Sequence, residues 1–394
     1  MGIFALTHAT PAVFGKDATD GYLTQPNIMG SVNRGPFAFL GTLNFEGYTL
    51  KRGELNAGIY GEGYADRRHP HSLVHEVMLT ATSPSFGSVR GSLAGGKGFT
   101  PYGTDDPMVR PFVKYPVNHH HAQVIERVQA IGALAYGDSL RSVTLEHAFF
   151  NGDEPVTPFT EPQWRRVGDS RATRLTVTPH KYFELQASRA FVRSPGITQG
   201  GAYDHTQTSA SLRFNRISDD GSAAAMAGHD MHRHEHGDRR YLLVEVARTD
   251  EGFGDTHVFR YNSMLAEGLY ERHGWGLGLR AELTDRPETD RLLDPFRIAS
   301  GHIDFQINGI TRWKVGTMHL DTPSMSLPGV GFARFTPLLE VALARPEPLH
   351  TPSVFVPREF YGASNLWSFT FGVRMHVGTM RARMGRYGVL PAGN

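Results

Sequence analysis

Apolar and polar residues alternate with a period of two along most of this chain, in stretches of about ten residues, the signature of strands with one apolar face. Phe37, Phe39, Leu43 and Phe45 share a face opposite Thr42, Asn44 and Glu46. Leu55, Ala57 and Ile59 oppose Asn56, Tyr60 and Glu62; Val77, Leu79 and Ala81 oppose Glu76 and Thr80. Val89 and Leu93 stand against Ser88, Arg90 and Ser92. Val143, Leu145 and Phe149 oppose Ser142, Thr144 and Glu146, and Phe183, Leu185 and Ala187 oppose Glu184, Gln186 and Ser188. Later, His205, Gln207, Ser209, Ser211 and Arg213 line one face, with Ala210, Leu212 and Phe214 on the other. Leu242, Val244 and Val246 oppose Glu245; Phe259, Tyr261 and Leu265 oppose Arg260 and Asn262. Trp275, Leu277, Leu279, Ala281 and Leu283 oppose Arg280, Glu282 and Thr284. Ile303, Phe305 and Ile307 oppose His302, Asp304, Gln306 and Asn308, and Leu339, Val341 and Leu343 oppose Glu340. Trp367, Phe369, Phe371 and Val373 oppose Ser368, Thr370, Arg374 and His376. Further strands are expected near Leu175 and Trp313, and a weaker one over Ala223–Met231. The pattern predicts about 14 antiparallel strands, within a range of about 12 to 16.

Such alternation suits two folds. A soluble antiparallel sandwich turns its apolar face inward. A transmembrane up-and-down β-barrel turns it outward and keeps a polar lumen. The alternation persists with no helical interlude, and Phe and Trp recur where strands end, as in an aromatic girdle. Both features favour the barrel. No run approaches the roughly 20 apolar residues of a spanning helix. A soluble chain of 394 residues is expected to split into domains, whereas one barrel can use all of it. The expected layout is a barrel over 36–378, an N-terminal extension or periplasmic or lumenal segment over 1–35, and a C-terminal tail over 379–394. Residues 95–121 lack alternation and are rich in Gly and Pro. A loop this long in a compact fold is usually functional, and it is a candidate for an inward-folded loop or plug.

Composition adds little. The 44 Gly suit a curved sheet. A net charge of +1 gives no bulk electrostatic case for nucleic acid. The absence of Cys fits an oxidising compartment in which disulfides are not needed. The start has no basic segment followed by a clean apolar one, so the numbering is expected to begin at a mature, truncated or mis-assigned N-terminus.

Asp66-Arg67-Arg68-His69-Pro70-His71-Ser72 resembles a motif, Asp-Arg-Gln-His-Pro-His-Asp, of a group of largely uncharacterised outer-membrane barrels from Gram-negative bacteria. Arg68 stands in place of the Gln and Ser72 in place of the final Asp. The likeness extends through Gly98 to His121, where Tyr115-Pro116-Val117-Asn118-His119-His120-His121 resembles a Pro-hydrophobic-Met-His-Arg segment. It also takes in Glu146 to Gly152 and Met384 to Gly388. The resemblance implies the barrel fold and an outer-membrane location, in contact with membrane lipid and lipopolysaccharide. It implies no established activity. One departure concerns the end of the chain: many outer-membrane barrels finish on an aromatic residue, whereas here a basic tail follows Val377.

In a closed barrel the polar face points into one space. The expected lumen lining is Glu46, Glu62, Glu76, Arg90, Glu146, Glu184, His205, Arg213, Arg260, Arg280, Glu282, His302, Asp304, Arg374 and His376. Mixed charge of this kind either forms a rigid ion-paired interior or lines a wet passage for small hydrophilic solutes. The 20 His are clustered. His69, His71, His119, His120 and His121 are candidate ligands for a divalent transition metal such as Zn, Cu or Ni, although no known zinc spacing occurs. The alternative is that the stiff His-Pro-His turn pins a plug segment to the wall. His229, His232, His234 and His236 read more simply as polar loop residues. An outer-membrane hydrolase built on Ser72, His71 and Asp66 is a third reading, weakened by the absence of a G-x-S-x-G elbow.

Overall fold

The computed structural model describes the chain apart from residues 51–54, 57–65, 68–70, 105–107, 109, 118–121, 139, 153–154, 156–157, 194–202, 218–237, 290–306, 328–329, 351–352, 379–383 and 389–394. Its strands are β1 (Gly2–Thr10), β2 (Ala18–Thr24), β3 (Asn27–Arg34), β4 (Phe37–Asn44), β5 (Leu55–Asn56), β6 (Asp66–Arg67) and β7 (Val74–Thr82). There follow β8 (Val89–Gly98), β9 (Arg127–Gly137), β10 (Ser142–Phe150), β11 (Ser170–His180), β12 (Phe183–Val192), β13 (Asp204–Ile217) and β14 (Arg239–Phe253). The last are β15 (Thr256–Arg272), β16 (Trp275–Thr289), β17 (Ile307–Asp321), β18 (Met325–Leu327), β19 (Val330–Pro348) and β20 (Leu366–Val377). β5 and β6 form a separate ribbon, and the other 18 make one sheet.

The sheet is antiparallel and follows chain order. Pairings run from β3 to β4 and β7, on through successive strands to β20, then to β1 and β2. The two ends of this path are continuous in the chain. Only Gln25 and Pro26 separate β2 from β3, and Gln25 has a φ of 54°. Met1 donates to the Asn27 carbonyl at 2.7 Å, and Asn27 N–H donates back to the Met1 carbonyl at 2.8 Å. β2 and β3 are thus one extended run, bulged at Gln25, with β1 on one edge and β4 on the other. β18 likewise prolongs the β17–β19 hairpin. The 18 strands therefore fill sixteen positions along the path.

The two ends of the sheet differ. At one, strands join through short turns such as 35–36, 138–141, 181–182 and 273–274. At the other lie the long connections 45–73, 99–126, 151–169 and 349–365, with two exceptions to the contrast: the connection 218–238 belongs to the short-turn end and the two-residue turn 254–255 to the other. β1 begins and β20 finishes at the short-turn end, with Gly2 opposite Met375.

Burial is inverted relative to a soluble protein. Leu79, Leu93, Leu145, Leu277, Leu279 and Phe371 are exposed, while Glu76, Glu146, Arg174, Glu245, Glu267, Arg280 and Glu340 are buried. Charged side chains are rarely fully buried unless paired. The apolar face lies open, and the charged face is covered by other parts of the chain. Aromatic rings flank the open face: Tyr136, Phe183, Tyr270 and Trp275 near the short turns, and Trp367 stacked on Phe369 at the other end.

Three expectations need correction. The sheet has more strands than the 14 expected. Residues 1–35 are not an extension, because β1, β2 and β3 all lie in the sheet. Their polar breaks hid them: His8 sits on the open face of β1 with its ring on Thr19, and β3 is exposed for most of its length. The phase of β15 is also reversed. Tyr261 and Leu265 are buried, while Arg260 and Asn262 point to the open face. Both faces of this strand carry large apolar residues, so alternation alone does not fix its sense. The weak strand over Ala223–Met231 lies outside the described residues, as does most of the Ile303–Ile307 strand.

Candidate functional site

The covered face of the sheet meets the segment between β8 and β9. Irregular backbone that is buried must still satisfy its N–H and C=O groups. Here charged wall residues do so. Val113 and Lys114 N–H both donate to Glu340 at 2.9 Å, and Val117 N–H donates to Glu282 at 2.7 Å. In the other sense, Arg280 donates to the Lys114 carbonyl and Arg374 to the Pro111 carbonyl, each at 2.6 Å. Arg280 also lies 4.1 Å from the centre of the Phe112 ring. At the start of the segment, Gly103 N–H donates to Ser188 at 3.0 Å, and Gln129 donates to the Phe99 carbonyl at 2.7 Å. Thr104 is bonded to Glu245. Arg110 reaches Glu245 at 3.5 Å and Glu267 at 3.8 Å. The segment is therefore stitched to strands on both sides of the path: β9 and β12 on one side, β14 to β20 on the other.

The bridge also brings a cation into this interior. Burial pulls the Lys114 ammonium below its ordinary 10.5, against the attraction of Glu282 and Glu340.

The end of the chain enters the same space. Tyr387 is bonded to Glu76, and Gly385 N–H donates to Glu76 at 3.1 Å. Arg386 reaches Glu184 at 3.2 Å and Glu146 at 3.5 Å. Arg174 donates to the Gly385 carbonyl at 2.9 Å while its guanidinium grips Glu146 at 2.6 and 2.8 Å. Phe99 N–H donates to the Tyr387 hydroxyl at 3.2 Å, which ties the tail to the bridging segment.

A third cluster holds the base of the bridge. His71 Nδ1 lies 2.8 Å from Glu46, and His75 Nδ1 lies 2.9 Å from Glu126. Ser72 donates to Glu126 through its N–H at 2.6 Å and its hydroxyl at 2.8 Å. The two rings meet edge-on with centres 5.2 Å apart. Burial opposes the charge of Glu46. The charge and hydrogen bond of His71, with N–H groups of Gln25 and His71, nonetheless hold its carboxyl down at about 2. Burial opposes Glu126 too, but the hydrogen bond and charge of His75 keep it well below the carboxylate range.

Several expected lining residues lie on the covered face: Glu76, Glu146, Glu184, Arg213, Arg280, Glu282 and Arg374. His205 is half-buried and 3.4 Å from Glu251, and His376 is half-buried near the end of β20. Glu46 is buried in the helical turn Glu46–Thr49 rather than on a strand. Arg90 holds Ser85 at the short-turn end. Arg260 departs from its expected place, because the reversed phase of β15 puts it on the open face beside Asp250 at 2.6 Å. Glu62, His302 and Asp304 lie outside the described residues. So do His69, His119, His120, His121 and the His229–His236 cluster. Among the described residues no group of three metal-ligating side chains forms, and His71 is held by Glu46. Sequence reasoning missed Arg110, Arg174, Glu245, Glu267, Glu340 and Arg386. Arg174, Glu245 and Glu340 alternate with apolar neighbours, so their faces were readable, whereas Glu267 lies on β15, whose sense alternation does not fix; which segment they hold was not readable.

No family model matches the chain, and no curated protein matches it. Solved structures do. A loop L8 deletion mutant of OmpT, an outer membrane protein of Vibrio cholerae, is 10% identical with a TM-score of 0.44, over 95% of this chain and 98% of that one. The outer membrane channel DcaP of Acinetobacter baumannii is 6% identical with a TM-score of 0.43, over 94% and 95%. An anion-selective porin from Comamonas acidovorans is 10% identical with a TM-score of 0.37, over 96% and 99%.

Proposed function

We propose that this chain is a closed transmembrane barrel of a bacterial outer membrane and a porin-like channel for small hydrophilic solutes. The observation that carries the reading is the inversion of its surfaces. The open face is apolar and ringed by aromatic residues, as lipid requires, and the covered face is charged, as a wet lumen requires. The pairing path that runs from β3 round to β2, the two joined through Gln25 and Pro26, supports closure, and closure limits the free sheet edges that lipid does not tolerate. Short turns then face the periplasm and long connections face outside. The segment from Phe99 to Glu126 crosses the lumen as a constriction, held by Glu340, Glu282, Arg280 and Arg374. Solutes pass beside it along walls of alternating Glu and Arg. The resemblance carried by Asp66 to Ser72 fits this reading, with His71 and Ser72 acting as the base of the constriction.

The test is single-channel recording of the refolded protein in planar bilayers. Steady conductance in the intact protein, raised when residues 104–117 are replaced by a short Gly-Ser linker, supports the channel. Silence in both forms over a wide voltage range defeats it. A hydrolase built on Ser72, His71 and Asp66 finds less support, because His71 is bonded to Glu46 and the Ser72 hydroxyl to Glu126.

A further inference from the structure

We propose that the open face of β10 to β13, at the long-connection end, binds the phosphate groups of an anionic glycolipid of the outer leaflet, with Arg171 and Arg189 as its charge pair. The inference rests on the membrane-barrel reading above and adds a lipid site that this reading does not require.

A depression of about 290 Å³ lies on this face, lined by His147, Arg171, Thr173, Arg189, Phe191 and Thr206. Strand register brings them together. His147 pairs with Thr173, Thr173 with Arg189, Arg171 with Phe191, and Phe191 with Thr206. The groups are partly ordered already. His147 Nδ1 lies 2.8 Å from the Thr173 hydroxyl, and the Arg171 guanidinium lies 5.5 Å from the centre of the Phe191 ring. Stacking on a ring fixes the guanidinium plane and leaves its N–H edge free for an oxyanion.

The rest of this level of the open face supplies the contrast. Asp250 takes Arg248 at 2.8 Å and Arg260 at 2.6 Å. Asp285 takes Arg312 at 2.7 Å. Glu347 takes Lys314 and Arg345, each at 2.8 Å. Among the described residues, neither Arg171 nor Arg189 forms an ion pair. Two acids at this end of the strands are engaged by other arginines: Asp169 by Arg166 at 2.6 Å, and Asp204 by Arg193 at 4.0 Å. Two guanidiniums at the rim of an apolar surface without a counter-charge are costly. A phosphate would neutralise them through bidentate, charge-assisted hydrogen bonds.

A lipid source is favoured over a soluble anion by what lies beside the depression. Leu145, Leu175 and Leu185 continue the same strands toward the short-turn end, and all three are exposed. They offer acyl chains a surface directly adjoining the charge pair. The long-connection end is the outer leaflet in the orientation proposed above.

The experiment is native mass spectrometry of the folded protein released from detergent micelles. The probes are a bisphosphorylated acylated glucosamine disaccharide, the same lipid with its phosphates removed, and inorganic phosphate. The expected result is retention of the phosphorylated lipid, weaker by about tenfold in R171A/R189A, a factor that corresponds to about 1.4 kcal/mol. R345A, at the same level in a balanced sector, should bind as the parent does. R171K/R189K should fall between, because charge survives without the fork. Equal retention of the phosphorylated and dephosphorylated lipids by the parent overturns the proposal, even if the alanine variant does not fold. So does binding of inorganic phosphate as tightly as of the lipid. A parent chain that stays out of micelles and membranes altogether overturns the barrel reading, and this site with it.

Discussion

Glu340 shows how one carboxylate can fix an irregular segment. Its two oxygens accept from Val113 and Lys114, and His319 Nδ1 lies 3.1 Å away. Hydrogen bonds to charged groups contribute about 1.5–3 kcal/mol each. Replacing Glu340 with Gln removes the charge and one acceptor, so the bridge should loosen while the wall persists. Limited proteolysis of the intact protein is expected to cut between 104 and 117 several times faster in the variant; unchanged protection counts against the anchoring role. Glu46 gives a pH dependence. Its folded pKa of about 2 lies below the ordinary 4.5. The stability it contributes is therefore full above pH 4.5 and is lost as pH falls toward 2. Thermal unfolding should show a declining midpoint across that window, and Glu46→Gln should flatten the decline.

At the scale of elements, facing decides what a substitution does. β15 turns Met264 outward and Leu265 inward, although the alternation of the sequence puts Leu265 with the outward set. A nitroxide on Cys at 264 should be broadened by oxygen dissolved in lipid, and one at 265 should not; the opposite pattern would mean that the strand is shifted by one residue. Leu279 is 60% exposed at mid-strand on β16. Arg at this position should cost about 2–4 kcal/mol in a lipid-embedded barrel and close to nothing in a soluble sheet. Denaturant refolding into vesicles measures the difference. Most strands after residue 36 were legible because one face is uniformly apolar, as in β16 and β20. β1 to β3 were not, because His8, Asp20 and the Gln25–Pro26 kink interrupt their pattern. For the site, Glu76, Glu146 and Arg280 were legible as covered-face positions. The pairing of Glu340 with a segment more than 200 residues away follows from three-dimensional closeness, which alternation does not encode.

For the whole molecule, two separate pieces of chain occupy one interior. The bridge is fixed to walls on both sides, and the tail lies against it through Tyr387 and Phe99. If both obstruct flow, truncation after Val377 should raise conductance without altering the heat-modifiable migration of the folded barrel. Equal conductance in the truncated and full chains would place the solute path away from β7, β10 and β11. Loss of folding on truncation would mean that the tail supports the wall as well as filling it.

The position of Arg386 and Tyr387 also orders events in time. Their partners Glu76, Glu146, Thr176 and Glu184 lie on four different strands. The tail begins where β20 ends, beside the first residues of β1. It completes its contacts only once those four strands have come together. Sealing would then follow wall assembly: the strands come together first, and the segment carrying Arg386 and Tyr387 enters between them afterwards like a stopper. A bulky fusion at Asn394 should therefore leave insertion intact and arrest the protein in its unstoppered form.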